Sequence, residues 1–287
     1  MDSDYPSLLA TFELEELEPG VQQAPPSGEG RDRLFGGELV AQALAAACFS
    51  VEGDDCHSLH AHFVRPGKPG RPVQYEVSAM HDARRLCSRQ VTAYQRDELI
   101  LHLLASFQSD AGAGPTHQQA MPDVPHPRDL PDESERRAQA RERLPEQFHE
   151  YLDRKLPVEM APVDDSSWFM PEVQSARSQM WMRVRDSFPE FPNLHRCAIA
   201  YCADYTAVQA CVKPLPITPF DPSYQIASLD HSVWFHRPAR ADSWLLYDFD
   251  CPNVAAGRGL ARGSVYSEDG ALVASVVQEA IIHQRES

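Results

Sequence analysis

No run of apolar residues in this 287-residue chain is long enough to cross a bilayer; the longest, Leu39 to Val51, is interrupted by Gln42. Met1 to Pro6 has no basic segment of the kind that opens a secretory leader, and Arg285-Glu286-Ser287 is not a Ser-Lys-Leu peroxisomal address. These absences lead to the expectation of a cytoplasmic protein that is neither inserted in a membrane nor exported. Basic residues are scarce: 26 Lys and Arg stand against 42 Asp and Glu, a formal net charge of −16. A field of that sign repels polyanions, so nucleic acid is not an expected partner. Among seven cysteines there is no Cys-x-x-Cys pair, which reads as reduced thiols in apolar niches. His60 and His62 share one strand face opposite His57 with no carboxylate at a completing spacing, so no metal is expected.

What the chain does have is an internal repeat. Cys56-His-Ser-Leu-His-Ala-His-Phe-Val-Arg-Pro66 aligns on Ser228-Leu-Asp-His-Ser-Val-Trp-Phe-His-Arg-Pro238 at a separation of 172 residues, matching Phe63 with Phe235, Arg65 with Arg237 and Pro66 with Pro238. Arg89 then falls opposite Arg258, and Gln108 opposite Gln278, at nearly the same separation. Each unit reads in one order: a short strand (about 8–17 and 178–185), a helix rich in small residues (about 36–50 and 194–212), then four strand-like runs. Those runs lie near 57–65, 72–81, 86–96 and 99–109, and near 227–237, 243–251, 259–267 and 271–283. Turn signals such as Arg96-Asp97 and Asp269-Gly270 separate the last two runs of each unit, as in antiparallel hairpins. A helix such as Leu39-Val-Ala-Gln-Ala-Leu-Ala-Ala-Ala-Cys48, apolar nearly all round, suits burial against a curved sheet.

The organisation is therefore a first unit over 1–109, a second over 176–287, and a Pro- and acid-rich linker over 110–175. The linker carries one amphipathic helix, about Ser134 to Lys155, broken at Pro145.

Four segments, in order and correctly separated, resemble the acyl-CoA thioesterase II family: Leu34-Phe-Gly-Gly-Glu-Leu-Val-Ala-Gln-Ala-Leu44, His60-Ala-His-Phe-Val-Arg-Pro-Gly67, Ile226 to Pro238, and Leu272-Val-Ala-Ser-Val-Val-Gln-Glu279. His117 to Pro122 in the linker fits as well. The resemblance implies an α+β double hot-dog fold, two tandem repeats each with a central helix wrapped by a curved antiparallel sheet. It implies hydrolysis of fatty acyl-CoA to fatty acid and CoA, with coenzyme A as part of the substrate and no cofactor. By motif it assigns the catalytic roles to Asp204 and Gln278, with Ser228 where the family has Thr. Those residue types suit a thioester, which an oriented water attacks without an acyl-enzyme. No Gly-x-Ser-x-Gly elbow is present for a serine thioesterase.

The first unit holds weaker counterparts: Gln108 for Gln278, Cys56 for Ser228, and for Asp204 a position between Asp32 and Glu38. CoA is expected to meet Arg84, Arg85, Ser88 and Arg89 on one side, and Gly257, Arg258 and Gly259 with Arg262 on the other. Ala83 and Leu86 depart from the Gly and Phe of the family pattern there. Two other readings stand beside the thioesterase. One is a hot-dog enoyl-CoA hydratase, disfavoured by the lack of a His in the Tyr205-to-Val212 segment. The other is an inactive acyl-CoA binding protein, motivated by Ser228 and Leu86. By analogy a homo-oligomer, dimer or tetramer, is expected.

Overall fold

The computed structural model describes residues 5–28, 31–109, 114–163 and 169–285. In the first half the order is α1 (Leu8–Thr11), β1 (Glu15–Glu18), β2 (Val21–Ala24), α2 (Gly36–Phe49), β3 (Asp55–Phe63), β4 (Val73–Asp82), β5 (Leu86–Gln95) and β6 (Glu98–Gln108). The connecting stretch adds α3 (Glu133–Arg143), α4 (His149–Leu152) and β7 (Val158–Pro162). The second half follows with β8 (Arg177–Val184), α5 (Pro192–Val212), β9 (Tyr224–Ser228), β10 (Asp230–Phe235), β11 (Leu245–Ala255), β12 (Arg258–Ser267) and β13 (Leu272–Gln284).

All strands join one antiparallel sheet in the order β1-β2-β4-β5-β6-β3-β10-β13-β12-β11-β8-β7, with β9 also paired to β13. The order is a palindrome of the repeat: β2-β4-β5-β6-β3 is followed by its counterparts β10-β13-β12-β11-β8. The two halves meet at β3 and β10, paired Asp230 to His62 through Trp234 to Ser58. The chain has the hot-dog arrangement, with α2 and α5 lying inside the curved sheet.

Small side chains let the helices sit that close. Ala41, Ala43 and Ala45 to Ala47 of α2 and Ala198, Ala200, Ala203, Ala207 and Ala210 of α5 are buried in one continuous core with Leu59, Val91, Leu103, Phe107, Val233, Phe249 and Val276. A smaller cluster of Ala161, Trp181, Leu246 and Tyr266 lies under the connecting stretch, against Met121, Val124 and Leu130. The stretch is tied down by Trp181 Nε1 donating to Pro125 O, and by Gln118 bonding both Gly270 O and Leu272 N.

Three expectations need correction. The first run, about 8–17, is not a strand throughout: Ser7 accepts from Ala10 N and starts the short helix α1 before β1 begins. The run near 227–237 is two strands, because the register to β13 shifts at Leu229, where Leu229 N bonds Glu279 O and Glu279 N donates to Asp230 Oδ1. The connecting stretch is more than a linker with one helix, since β7 extends the sheet beside β8. Its helix starts one residue early on an Asp132/Glu135 capping box and stops at Leu144, before Pro145. No helix among the described residues is long and apolar enough to cross a membrane.

Candidate active site

Asp204 stands in the interior of α5, so its carboxylate is not a helix cap; it is buried at 9% exposure. Burying a charge there costs several kcal/mol unless donors surround it. Three do. Gly37 N, in the first turn of α2, donates to Oδ2 at 2.7 Å. Gln278 Nε2 donates to Oδ1 at 2.8 Å, and Ser228 Oγ to the same oxygen at 3.3 Å. Gln278 Nε2 also donates to Ser228 Oγ at 2.7 Å. The three residues singled out from the sequence, far apart in the chain, therefore converge on one point, and a residue of the first repeat completes the cage.

Gly36 and Gly37 permit that approach. A Cβ at Gly37 would stand 2.6 Å from Tyr201 O and 3.0 Å from Asp204 Cβ; one at Gly36 would stand 2.9 Å from Asp204 Oδ2. Here the N-terminus of α2 abuts α5, and the Gly37 N–H and the positive end of the helix dipole face the carboxylate. Phe35 packs beside the site, its ring centroid 4.5 Å from Tyr205 and 5.1 Å from Tyr201. Burial pushes both phenols above their ordinary pKa, so they stay neutral and share a hydrogen bond at 3.2 Å.

Gln278 Oε1 faces the other way, 2.5 Å from Nδ1 of His231, a fully buried residue of β10. Neither His231 nor Gly37 was singled out by sequence, although both lie inside resembling segments. Arg33 is a further addition: its Nη2 donates to Ile226 O at 2.6 Å, two residues from Ser228.

The residues expected to meet CoA occupy two separate hairpins. Arg84 and Arg85 are exposed in the turn between β4 and β5. Ser88 and Arg89 follow on β5, but Arg89 is buried, its guanidinium engaged by Ser50 Oγ, Ser50 O, Ser88 O and Asp82 at 2.7 Å. Gly257 supplies the left-handed turn between β11 and β12 (φ +73°). Arg258 is paired with Glu279 at 3.0 Å and Arg262 with Asp250 at 2.8 Å. Gly259 lies against Cys211, where a Cβ would come within 2.8 Å of Cys211 Cβ.

Among the described residues, the first-repeat counterpart of the site holds no such cage. Counted from the first residue of each helix, Gly36 of α2 and Pro192 of α5, the position opposite Asp204 is Cys48 and not one between Asp32 and Glu38. The sequence separation misled there because the helix-to-strand connection is longer in the second half. Cys48 lies near Cys56, as Asp204 lies near Ser228. Arg196 fills the space beside them, bonded to Asp55 at 2.6 Å and to Asn193 at 2.8 Å. Glu38 instead accepts from Ser27 Oγ.

Comparison with known proteins identifies the family. Residues 24–108 match the Acyl-CoA thioesterase N-terminal domain and residues 123–282 the Acyl-CoA thioesterase C-terminal domain. The chain belongs to the acyl-CoA thioesterase II family. It is 31% identical to acyl-CoA thioesterase 2 of Haemophilus influenzae, with 96% of each chain covered. It is 34% identical to human acyl-coenzyme A thioesterase 8, over 97% of this chain and 90% of that one. The crystal structure of an acyl-CoA thioesterase II from Mycobacterium marinum superimposes with a TM-score of 0.77 at 33% identity, covering 96% of this thioesterase and 98% of the other. A hot-dog protein from Alicyclobacillus acidocaldarius, 21% identical with a TM-score of 0.74, shares the fold. The thioesterase is thus an acyl-CoA thioester hydrolase with its buried carboxylate at the joint of two repeats.

Proposed function

We propose that this thioesterase hydrolyses fatty acyl-CoA with a single water held by Asp204, Ser228 and Gln278. The observation that carries the reading is the meeting of a carboxylate oxygen, a hydroxyl and an amide N–H within hydrogen-bond distance of one another. The water's oxygen forms a bond to the thioester carbonyl carbon while its proton passes to Asp204. The tetrahedral oxyanion is stabilised by N–H groups in the first turn of α2, then collapses with cleavage of the C–S bond. The CoA thiolate leaves and takes up the proton held by Asp204, giving free acid and CoA and restoring the carboxylate. Ser228 supplies the hydroxyl without the methyl of Thr, and no atom of the enzyme becomes acylated.

The CoA portion is proposed to lie along the hairpins carrying Arg84, Arg85, Ser88 and Arg89 and Gly257, Arg258 and Gly259. A cytoplasmic, homo-oligomeric enzyme is part of the same reading. A hydratase, which pairs an Asp with a His, is less favoured because His231 reaches Asp204 only through Gln278.

The test is thiol release from a panel of acyl-CoA esters by wild type and Asp204→Asn. The variant loses roughly 10²- to 10⁴-fold in kcat while its unfolding transition is retained. A near-normal rate removes Asp204 from the mechanism. Tight CoA binding by the wild type without turnover on any ester supports the inactive binding protein instead.

A further inference from the structure

We infer that His231 is a positioning residue for the hydrolysis, fixing the side-chain amide of Gln278 so that its N–H groups face Asp204 and the reacting water throughout the cycle. The inference rests on the proposed role of Gln278 and extends it to a residue that touches neither substrate nor water.

The donor and acceptor inventory fixes each orientation in turn. An ionised Asp204 only accepts, so the group of Gln278 lying 2.8 Å from Oδ1 is Nε2, and the group facing His231 is Oε1. Because Oε1 only accepts, His231 Nδ1 carries the hydrogen, in a contact of 2.5 Å. His231 Nε2 is buried and has no hydrogen-bond partner. The opposite tautomer would bury an N–H with no acceptor and set two lone pairs against each other, so this one is selected.

The consequence appears during turnover. Before reaction, Asp204 itself holds the amide, because a flipped Gln278 would point a carbonyl oxygen at a carboxylate. Once Asp204 takes the water's proton it becomes a hydroxyl donor, and the flipped amide, with Oε1 toward it, becomes the better partner. Ser228 does not oppose the flip, since a hydroxyl donates or accepts equally well. Only the N–H of His231, bonded to Oε1 from the far side, keeps Nε2 turned toward the forming tetrahedral centre.

The experiment compares His231→Asn, His231→Leu, Gln278→Ala and the double variant His231→Leu/Gln278→Ala by kcat, KM and thermal unfolding. Asn projects its Nδ2 donor where Nδ1 stood; Leu fills the ring's place without a donor. We expect His231→Leu to lower kcat about 10- to 100-fold with KM little changed, and His231→Asn to stay within about threefold of wild type. In the Gln278→Ala background His231→Leu should cost nothing further in kcat. Equal losses in Asn and Leu, or an undiminished loss without Gln278, overturn the inference and make His231 a packing residue. A Gln278→Ala enzyme with normal kcat instead removes the water-holding role of Gln278, an outcome separable from the first.

Discussion

His60 and Ser232 are counterparts in the repeat, 172 positions apart, and they face each other across the joint of β3 and β10, with Nδ1 3.1 Å from Oγ. Residues related by an internal duplication meet in this way only where a pseudo-two-fold axis passes between them, as at the centre of an isologous dimer. The duplication has thus become a dimer within one chain, and the symmetry is broken in its chemistry. On one side of the axis Asp204 meets Gly37; on the other Cys48 and Cys56 lie beside an Arg196–Asp55 pair. Among the described residues, a cage of donors around a buried carboxylate forms once.

Gly37→Ala tests the reach of the first repeat into that centre. The added methyl meets Tyr201 O at 2.6 Å, backbone against backbone-borne carbon, so α2 must move away from α5. The Gly37 N–H then leaves Asp204 Oδ2. The variant is expected to fall at least about 10-fold in kcat and to unfold at lower temperature, a loss of roughly 1–3 kcal/mol for overpacking. Unchanged kinetics with a lowered melting temperature would show that the N–H is not needed for turnover.

Ser228 is the place where this chain departs from the Thr of the family pattern. Its Oγ accepts from Gln278 and donates to Asp204, two roles that any hydroxyl fills. Ser228→Thr should therefore keep kcat within about threefold, the added methyl restricting the side-chain rotamer rather than altering the bonds. Ser228→Ala should lose about 10- to 100-fold, because it leaves Gln278 Nε2 short of an acceptor and removes a hydroxyl from the proposed hold on the water. Stopped assays of both on one acyl-CoA substrate decide the matter.

The fold was readable because the repeat is written in residues at and just past the ends of equivalent strands, such as Phe63/Phe235 and Arg65/Arg237, which keep their spacing. The meeting of Asp204, Ser228 and Gln278 was readable because each sits in a motif. Gly37 was not, since its contribution is a main-chain N–H and any residue type carries one. His231 was not, because a buried histidine beside an exposed-looking Asp-His-Ser run has no periodic signature. The Asp204 counterpart was misplaced because the connection after the helix differs in length between halves, which a constant offset cannot follow. Strand β7 was missed among prolines and acids, where composition points to a loop.

The arginines offered for CoA divide by their surroundings. Arg84 and Arg85 stand exposed in a hairpin turn, whereas Arg89 is committed to Ser50 and Asp82 from inside the fold. Arg84→Ala and Arg85→Ala are expected to raise KM for acyl-CoA severalfold at low salt, to leave kcat nearly unchanged, and to weaken the dependence of KM on ionic strength. Arg89→Met should act on stability, lowering the melting temperature because the bonds of its buried guanidinium to Ser50, Ser88 and Asp82 are lost. A kcat effect in the exposed pair without a KM effect would put CoA elsewhere, and Arg33 beside Ile226 becomes the next residue to change.

Asp242 is expected to give the protein a pH-dependent stability separate from the cage around Asp204. Burial pushes its carboxyl up, but the Arg240 guanidinium at 2.7 Å and the Phe188 N–H hold it, on balance, below the usual carboxylate range. A carboxylate whose folded-state pKa is depressed contributes stability above its unfolded-state value, and that stability is lost as pH falls through the folded one. Asp242→Asn cannot form the charged fork with Arg240. It should melt below wild type at pH 7, and the gap should close as the pH is lowered through and below the ordinary carboxylate range. Thermal unfolding of both proteins from pH 7 down to pH 3 measures the convergence. A gap that stays constant with pH would assign the loss to packing at the turn before β11 rather than to the ion pair.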